Sequence, residues 1–282
     1  MTTDTDRSLP AASHSGAPAP LSQHETIELV LRNLNRHWVP IRKSFVQQGK
    51  GKDTRPGPLA KFVPGHDERG LDTYLLLHAL ASAPPWNCDL PSGFWVRALG
   101  LADPTATGTK AIDNARPAVS KITARLVERE LVARARVKRR SSLTLMCEDG
   151  SGTAYKHPHD TNEQWFSLPH EYWFEHHYTN LSLRAKVMLL IALERPDNFT
   201  LAQNKVPGWY GISEDTAFHG LRELRDVGLL HVEPKWVESA RSDIGYTQQF
   251  VYSLRGAFSV ASRNKASRIA KTNYTGPVKE TT

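Results

Sequence analysis

The spacing of apolar residues changes along 182–256. In "SLRAKVMLLIALE" (182–194) apolar side chains lie nearly all round, as suits a helix buried inside a domain. "LAQNKVPGWYG" then reads as a short second helix broken by Pro207 and Gly208. Ser213 stands where an N-cap belongs, its side-chain oxygen able to accept from the free N–H groups of a first helical turn. From there Ala217, Leu221 and Leu224 recur at spacings of four and three and define one buried stripe. Gly228 ends that helix, and "LLHVEPKWV" and "QFVYSLRG", separated by the polar "ESARSDIGYTQ", read as two strands of a hairpin.

The same order can be traced upstream. "LDTYLLLHALAS" (71–82), "LPSGFWVRALGL" (90–101) and "RPAVSKITARLVERELV" (116–132) predict three helices. The third carries Pro117 in its first turn, where a missing N–H costs nothing, and a stripe of Val119, Ile122 and Leu126. "LVERELV" occupies the place of "LRDVGLL", and "ARARVKRRSSLTLMCED" reads as a second hairpin. The exits match as well, "WFSLPHEYWF" after the first hairpin and "VYSLRGAF" after the second.

Three helices and a hairpin are the order of a winged helix. The expected fold is therefore mainly α with small β-hairpins (α+β), in two tandem winged helix-turn-helix units. The expected organisation is a disordered arm (1–24), an N-terminal helix and basic linker (25–70), unit 1 (71–148), a connector (149–181), unit 2 (182–256) and a basic flexible tail (257–282).

"EDTAFHGLRELRDVGLL" resembles the recognition helix of bacterial winged-helix regulators of the MarR and GntR kind, which carry a Thr near the helix start and close on a Leu-xx-Leu-xxx-Gly-Leu pattern. Two such units with basic flanks resemble plasmid and mobile-element replication initiators. The likeness covers roughly 71–256 and implies a fold more than a role. It departs from the pattern at Glu214 and Asp215, an acidic pair at the start of a helix that would approach phosphates.

Composition narrows the classes. At 282 residues, 39% hydrophobic and 23% charged, the chain has room for two cores, and no run approaches the length of a membrane span. The first twenty residues lack a secretory apolar stretch, so a cytoplasmic, nucleoid-associated protein is expected. Two cysteines, Cys88 and Cys147, without a CxxC spacing, suggest neither a disulfide framework nor zinc.

Charge distinguishes the two units. Residues 116–140 hold Arg116, Lys121, Arg125, Arg129, Arg134, Arg136, Lys138, Arg139 and Arg140 against Glu128 and Glu130, an excess of seven, equal to the net charge of the whole chain. In "ARARVKRR" strand alternation sends Arg134, Arg136 and Lys138 to one face. Such a row suits duplex phosphates, with Ser120, Lys121 and Arg125 near base edges in the major groove. In 211–234, by contrast, two arginines face five carboxylates; Thr216, His219 and Arg222 would contact DNA, and a second half-site and a protein interface both remain open for this unit. If it is an interface, Glu214, Asp215, Glu223 and Asp226 would need a cationic counterpart, and a homodimer through unit 2 is the expected assembly. The basic stretch 36–61 and the tail after Phe258 read as duplex-wrapping arms or solubilising linkers.

No arrangement argues for catalysis, a metal or a cofactor. "HPH" (157–159) with Tyr172 has the residue types of a two-histidine metal nuclease, but it sits in a polar loop rather than on a central strand. "HEYWFEHH" (170–177) lacks the His-Glu-x-x-His spacing, and its aromatics are expected to pack the junction with the histidines at its surface. "GKGKDTRPG" (49–57) lacks the spacing of a phosphate loop. The reading is a non-enzymatic, sequence-specific binder of double-stranded DNA for transcriptional or mobile-element regulation. The alternatives are a plasmid-type DNA replication initiator and a protein-interaction scaffold.

Overall fold

The computed structural model describes residues 20–102, 109–137 and 140–273. Of the described residues, helix makes up 48% and strand 20%, arranged as a mixed α/β chain with small antiparallel sheets. Helix α1 (Gln23–Leu31) opens on a capping box, Ser22 and Glu25 each accepting from the other's backbone N–H, and buries Thr26, Ile27 and Leu31. Strand β1 (Trp38–Arg42) is buried at every position. A small ribbon of β2 (Gln47–Gln48) and β3 (Arg55–Pro56) follows, then a 3₁₀ turn, Pro58–Phe62.

The stretch 36–61 is thus part of the core rather than an arm or linker. Between its cations lie Trp38, Val39, Ile41, Phe45, Val46 and Leu59, all buried, and burying them fixes the backbone that carries the charges. Arg42 is itself buried. Its guanidinium donates to Glu148 Oε2, Glu163 Oε2 and the Lys156 carbonyl, each at 2.5 Å. Burial pushes Glu148 up to about 7 although Arg42 pulls the other way.

Next come α2 (Glu68–Leu80), β4 (Asn87–Cys88), α3 (Ser92–Ala98), α4 (Thr109–Glu128), β5 (Val132–Val137) and β6 (Arg140–Leu145), with the sheet ordered β4-β6-β5. Helix α4 starts seven residues before the expected position, so Pro117 lies in its interior and not in its first turn. Ala111, Ile112 and Ala115 add apolar contacts ahead of the proline, which stands exposed on the outer side.

Strand β7 (Trp165–Pro169) pairs antiparallel with β1, Trp38 opposite Pro169 and Arg42 opposite Trp165. "WFSLP" is therefore not the counterpart of "VYSL", which forms the end of the second hairpin; "SLTL" in β6 holds that place in the first. The single-turn helices α5 (Glu171–Phe174) and α6 (His177–Asn180) bury Tyr172, Trp173 and Tyr178, so the expected connector also contributes to the core.

The second run is α7 (Leu183–Glu194), β8 (Phe199–Thr200), α8 (Val206–Tyr210), α9 (Glu214–Asp226), β9 (Leu230–Glu238) and β10 (Tyr246–Leu254), with the sheet ordered β8-β10-β9. Pro207 sits in the first turn of α8 instead of breaking it, and Gly211, at φ +65°, ends it. A Cβ on Gly211 would stand 2.9 Å from both Ala60 and Pro56, so the bare backbone lets α8 pack on the N-terminal segment. Helix α10 (Val260–Asn273) occupies the expected flexible tail, and Arg263 ties it down by donating to the carbonyls of Leu193 and Phe258.

The buried residues form one continuous cluster. Lys186 of α7 is buried among them and bonds Glu68 (2.7 Å) and Asp72 (2.8 Å) of α2, with Tyr172 also donating to Asp72. A charged lysine this deep requires such partners, and the pairing ties α7 to α2.

Candidate nucleic-acid interface

On α4 the buried stripe is Ala111, Val119, Ile122, Thr123 and Leu126, which leaves Arg116, Ser120, Lys121 and Ala124 on the outer side. Arg116 donates to Asp113 (2.8 Å) and to Ser92 at the start of α3 (2.8 Å), tying the two helices together at their exposed edge. Lys121 is exposed, and among the described residues nothing engages its ammonium.

Arg125 does not extend towards a base. Its Nε and Nη2 donate to Asp67 at 3.0 and 2.5 Å, and Arg129 Nη1 donates to the same carboxylate at 2.5 Å. Asp67 is the N-cap of α2 and accepts from the Gly70 N–H as well. Burial alone would raise its carboxyl; the bonds from both arginines outweigh that and hold it below the usual carboxylate range. Two of the nine basic residues therefore fix the pose of α4 on α2. The Arg129 guanidinium also lies over the Phe62 ring, 4.3 Å from its centroid.

The hairpin after α4 is rooted in the core through Val132, Leu143 and Leu145. Register puts Arg134 opposite Leu143 and Arg136 opposite Ser141, so both arginines share the side of the ribbon that is buried at its root, further out where the core has ended. Arg134 Nε donates to Ser141 Oγ at 2.9 Å, and Arg136 is exposed. Arg140 opens β6; the expected contacts at Lys138 and Arg139 lie outside the described residues.

The junction between helix and hairpin recurs in detail. Glu130 (φ +59°) and Gly228 (φ +80°) are both left-handed. Leu131 N–H bonds the Leu126 carbonyl and Leu229 N–H the Leu224 carbonyl, at 3.1 and 2.9 Å, the wide six-residue closure of a Schellman cap.

Helix α9 has the expected cap: Ser213 Oγ accepts from the Thr216 N–H. Thr216, expected to contact DNA, is instead buried, its hydroxyl 2.9 Å from the same Ser213 oxygen. His219 and Arg222 are exposed beside Phe218, an exposed aromatic outside the apolar stripe. Three of the four acidic side chains put forward on α9 already have partners within the chain. Asp215 meets Arg184 (3.6 Å) and His219 (3.1 Å), and Asp226 meets Arg222 (3.7 Å) and Arg225 (2.9 Å). Glu223 caps α7, accepting from the Ser182 N–H at 2.7 Å and its hydroxyl at 2.5 Å. The acidic excess thus serves local pairing and capping.

The histidine motifs take structural places. His157 and His159 stack on each other, with ring centroids 5.1 Å apart, in a 3₁₀ turn, and burial pushes His157 down to about 4. His170, expected at the surface, is buried against Trp173 and Phe174, and burial pushes it down to about 3. His176 stacks on His24 of α1, centroids 3.7 Å apart. Among the described residues no three metal-binding side chains cluster. "GKGKDTRPG" forms the turn that follows β2 together with strand β3, not a loop between strand and helix. No helix among the described residues is long and apolar enough to cross a membrane. Compared with protein-family models, curated proteins and solved structures, the chain matches none.

Proposed function

We propose that the chain is a sequence-specific double-stranded DNA-binding protein of two tandem winged helix-turn-helix units, and that the first unit holds the duplex through α4 and the β5–β6 hairpin. One observation carries the reading: the order helix, short strand, helix, helix, hairpin occurs twice with the same strand order, and in the first copy the outer side of the third helix and the hairpin carry basic side chains with few acidic neighbours. In this reading Ser120 and Lys121 lie near base edges in the major groove, and Arg134 and Arg136 follow the phosphates. Arg125 and Arg129 act through Asp67, by setting the angle of α4. The likeness of "EDTAFHGLRELRDVGLL" to MarR- and GntR-type regulators favours a regulatory role on the nucleoid.

Fluorescence anisotropy on a selected site and on random duplex tests this. Lys121→Ala is expected to cost about 1–3 kcal/mol at the selected site and little on random duplex. Arg134→Ala with Arg136→Ala is expected to weaken both duplexes equally. Retention of full affinity by the triple variant would move the duplex to another surface.

A further inference from the structure

On the second hairpin the apolar side of the sheet continues past the end of the core. Register sets Leu230 opposite Leu254, Val232 opposite Tyr252, Pro234 opposite Phe250, Trp236 opposite Gln248 and Glu238 opposite Tyr246, so all ten residues share one face. At the root Leu230, Leu254 and Tyr252 are buried. Further out Trp236 is 60% exposed, Phe250 46% and Tyr246 49%, with Ile244 in the connecting loop at 69%. These four are nearly half of the nine large apolar side chains exposed among the described residues, and no described part of the chain covers them. With about 150–250 Å² per large side chain, they leave roughly 450 Å² of apolar surface, well into the range of a monomer's largest patch and over half of the about 800 Å² that each partner gives to a stable interface.

The chemistry of the face selects its occupant. Its only charged group is Glu238, near the tip; across 230–254, Lys235 and Arg241 stand against Glu233, Glu238 and Asp243. A nucleic-acid strand stacked on these rings would find no cation on the face for its phosphates, and neither would an anionic lipid surface. A strand adding to the outer edge of β9 would be interrupted by Pro234, which has no N–H to offer. What remains is an apolar, nearly neutral surface on a chain whose +7 is matched by the excess within 116–140. Two copies meeting here would bring only Glu238 of each to the shared face, so the contact itself buries little like charge. Of the four carboxylates of α9 that the sequence put forward as the interface, Asp215, Glu223 and Asp226 are already paired.

We propose that the aromatic face of the β9–β10 hairpin joins two copies of this chain about a two-fold axis, Trp236 of each packing over Pro234 and Phe250 of the other. The contact does not depend on the DNA reading, although a two-fold pair would set two first units for two half-sites.

Sedimentation equilibrium of the full chain without DNA tests it. The wild type is expected to show twice the chain mass at micromolar concentration. Trp236→Ser with Phe250→Ser is expected to raise the dissociation constant more than about tenfold with unchanged circular dichroism, since both side chains are largely exposed. In a second arm, Trp236→Cys is expected to cross-link into a dimer on mild oxidation, with Cys88 and Cys147 buried in the parent. A wild type that stays at single-chain mass, or a double variant that still dimerises, overturns the proposal. Lost binding of a labelled single-stranded oligonucleotide with mass unchanged also overturns it, in favour of a stacking surface. Duplex binding does not enter the mass, so either reading can fail alone.

Discussion

Asp67 shows how one side chain redirects a surface. Arg125 was legible as an exposed cation on a helix; its engagement with a carboxylate 58 residues earlier was not, because nothing local signals it. Asp67→Asn keeps the cap and removes the charge that two arginines share. With the Arg125 side chain 41% exposed and screened accordingly, the expected loss is about 1–3 kcal/mol in urea unfolding at neutral pH. Its sign follows from the lowered carboxyl: the contribution is present above the ordinary value of 3.8 and is lost as pH falls through the folded value, so variant and wild type converge in acid. His78 behaves in the same sense for a different cause. Burial between Tyr74 and Tyr155 pushes it down from 6.5 to about 3, so stability is held above 6.5 and falls as acid forces the proton on. Between those values His78→Phe is expected to flatten the decline by about 1.4 kcal/mol per pH unit in thermal or urea melts. An unchanged slope would mean that His78 is hydrated. Thr216 shows the opposite limit of legibility: its place near the helix start fits a DNA contact by resemblance, whereas it is buried and bonded to its own cap residue.

At the scale of elements, long periodic segments were readable and short ones were not. The stripe Ala217, Leu221, Leu224 and the Ser213 cap specify α9 locally, and the structure has both. Strands β4 and β8 are two residues each and exist only through pairing with β6 and β10, so no periodicity announces them. Strand β1 finds its partner β7 about 125 residues away, and the cations around it hid its apolar run. The two helix-to-hairpin junctions were matched correctly at Leu131 and Leu229, yet the residues before them differ: Gly228 takes the left-handed conformation freely, Glu130 against the clash of its Cβ. Glu130→Gly is therefore expected to stabilise the chain by up to about 1 kcal/mol, read as a raised urea midpoint with unchanged slope. Destabilisation would mean that the Glu130 side chain makes a contact worth more than the strain. Gly220 lies where α9 crosses α7, and a Cβ there would come within 2.5 Å of the Arg184 carbonyl.

Over the whole molecule the two copies of the motif share one core but present different surfaces. The first carries an excess of basic side chains, of which Lys121 and Arg136 have no acidic partner among the described residues, the second mostly paired acids and an aromatic ribbon. That division of charge was legible in the sequence; of the partners of the second copy's acids, His219, Arg222 and Arg225 lie on α9 itself, whereas Arg184 and Ser182 belong to a neighbouring helix and nothing local signals them. We propose that the first copy grips duplex DNA. The most direct measurement is the dependence of random-duplex affinity on salt, for the wild type and for Arg134→Ala with Arg136→Ala. A linear fall of log affinity with log salt is expected, its slope reduced by about 0.9 for each phosphate contact removed. A wild type that does not bind duplex at low salt, or a slope indifferent to the two arginine substitutions, would contradict it.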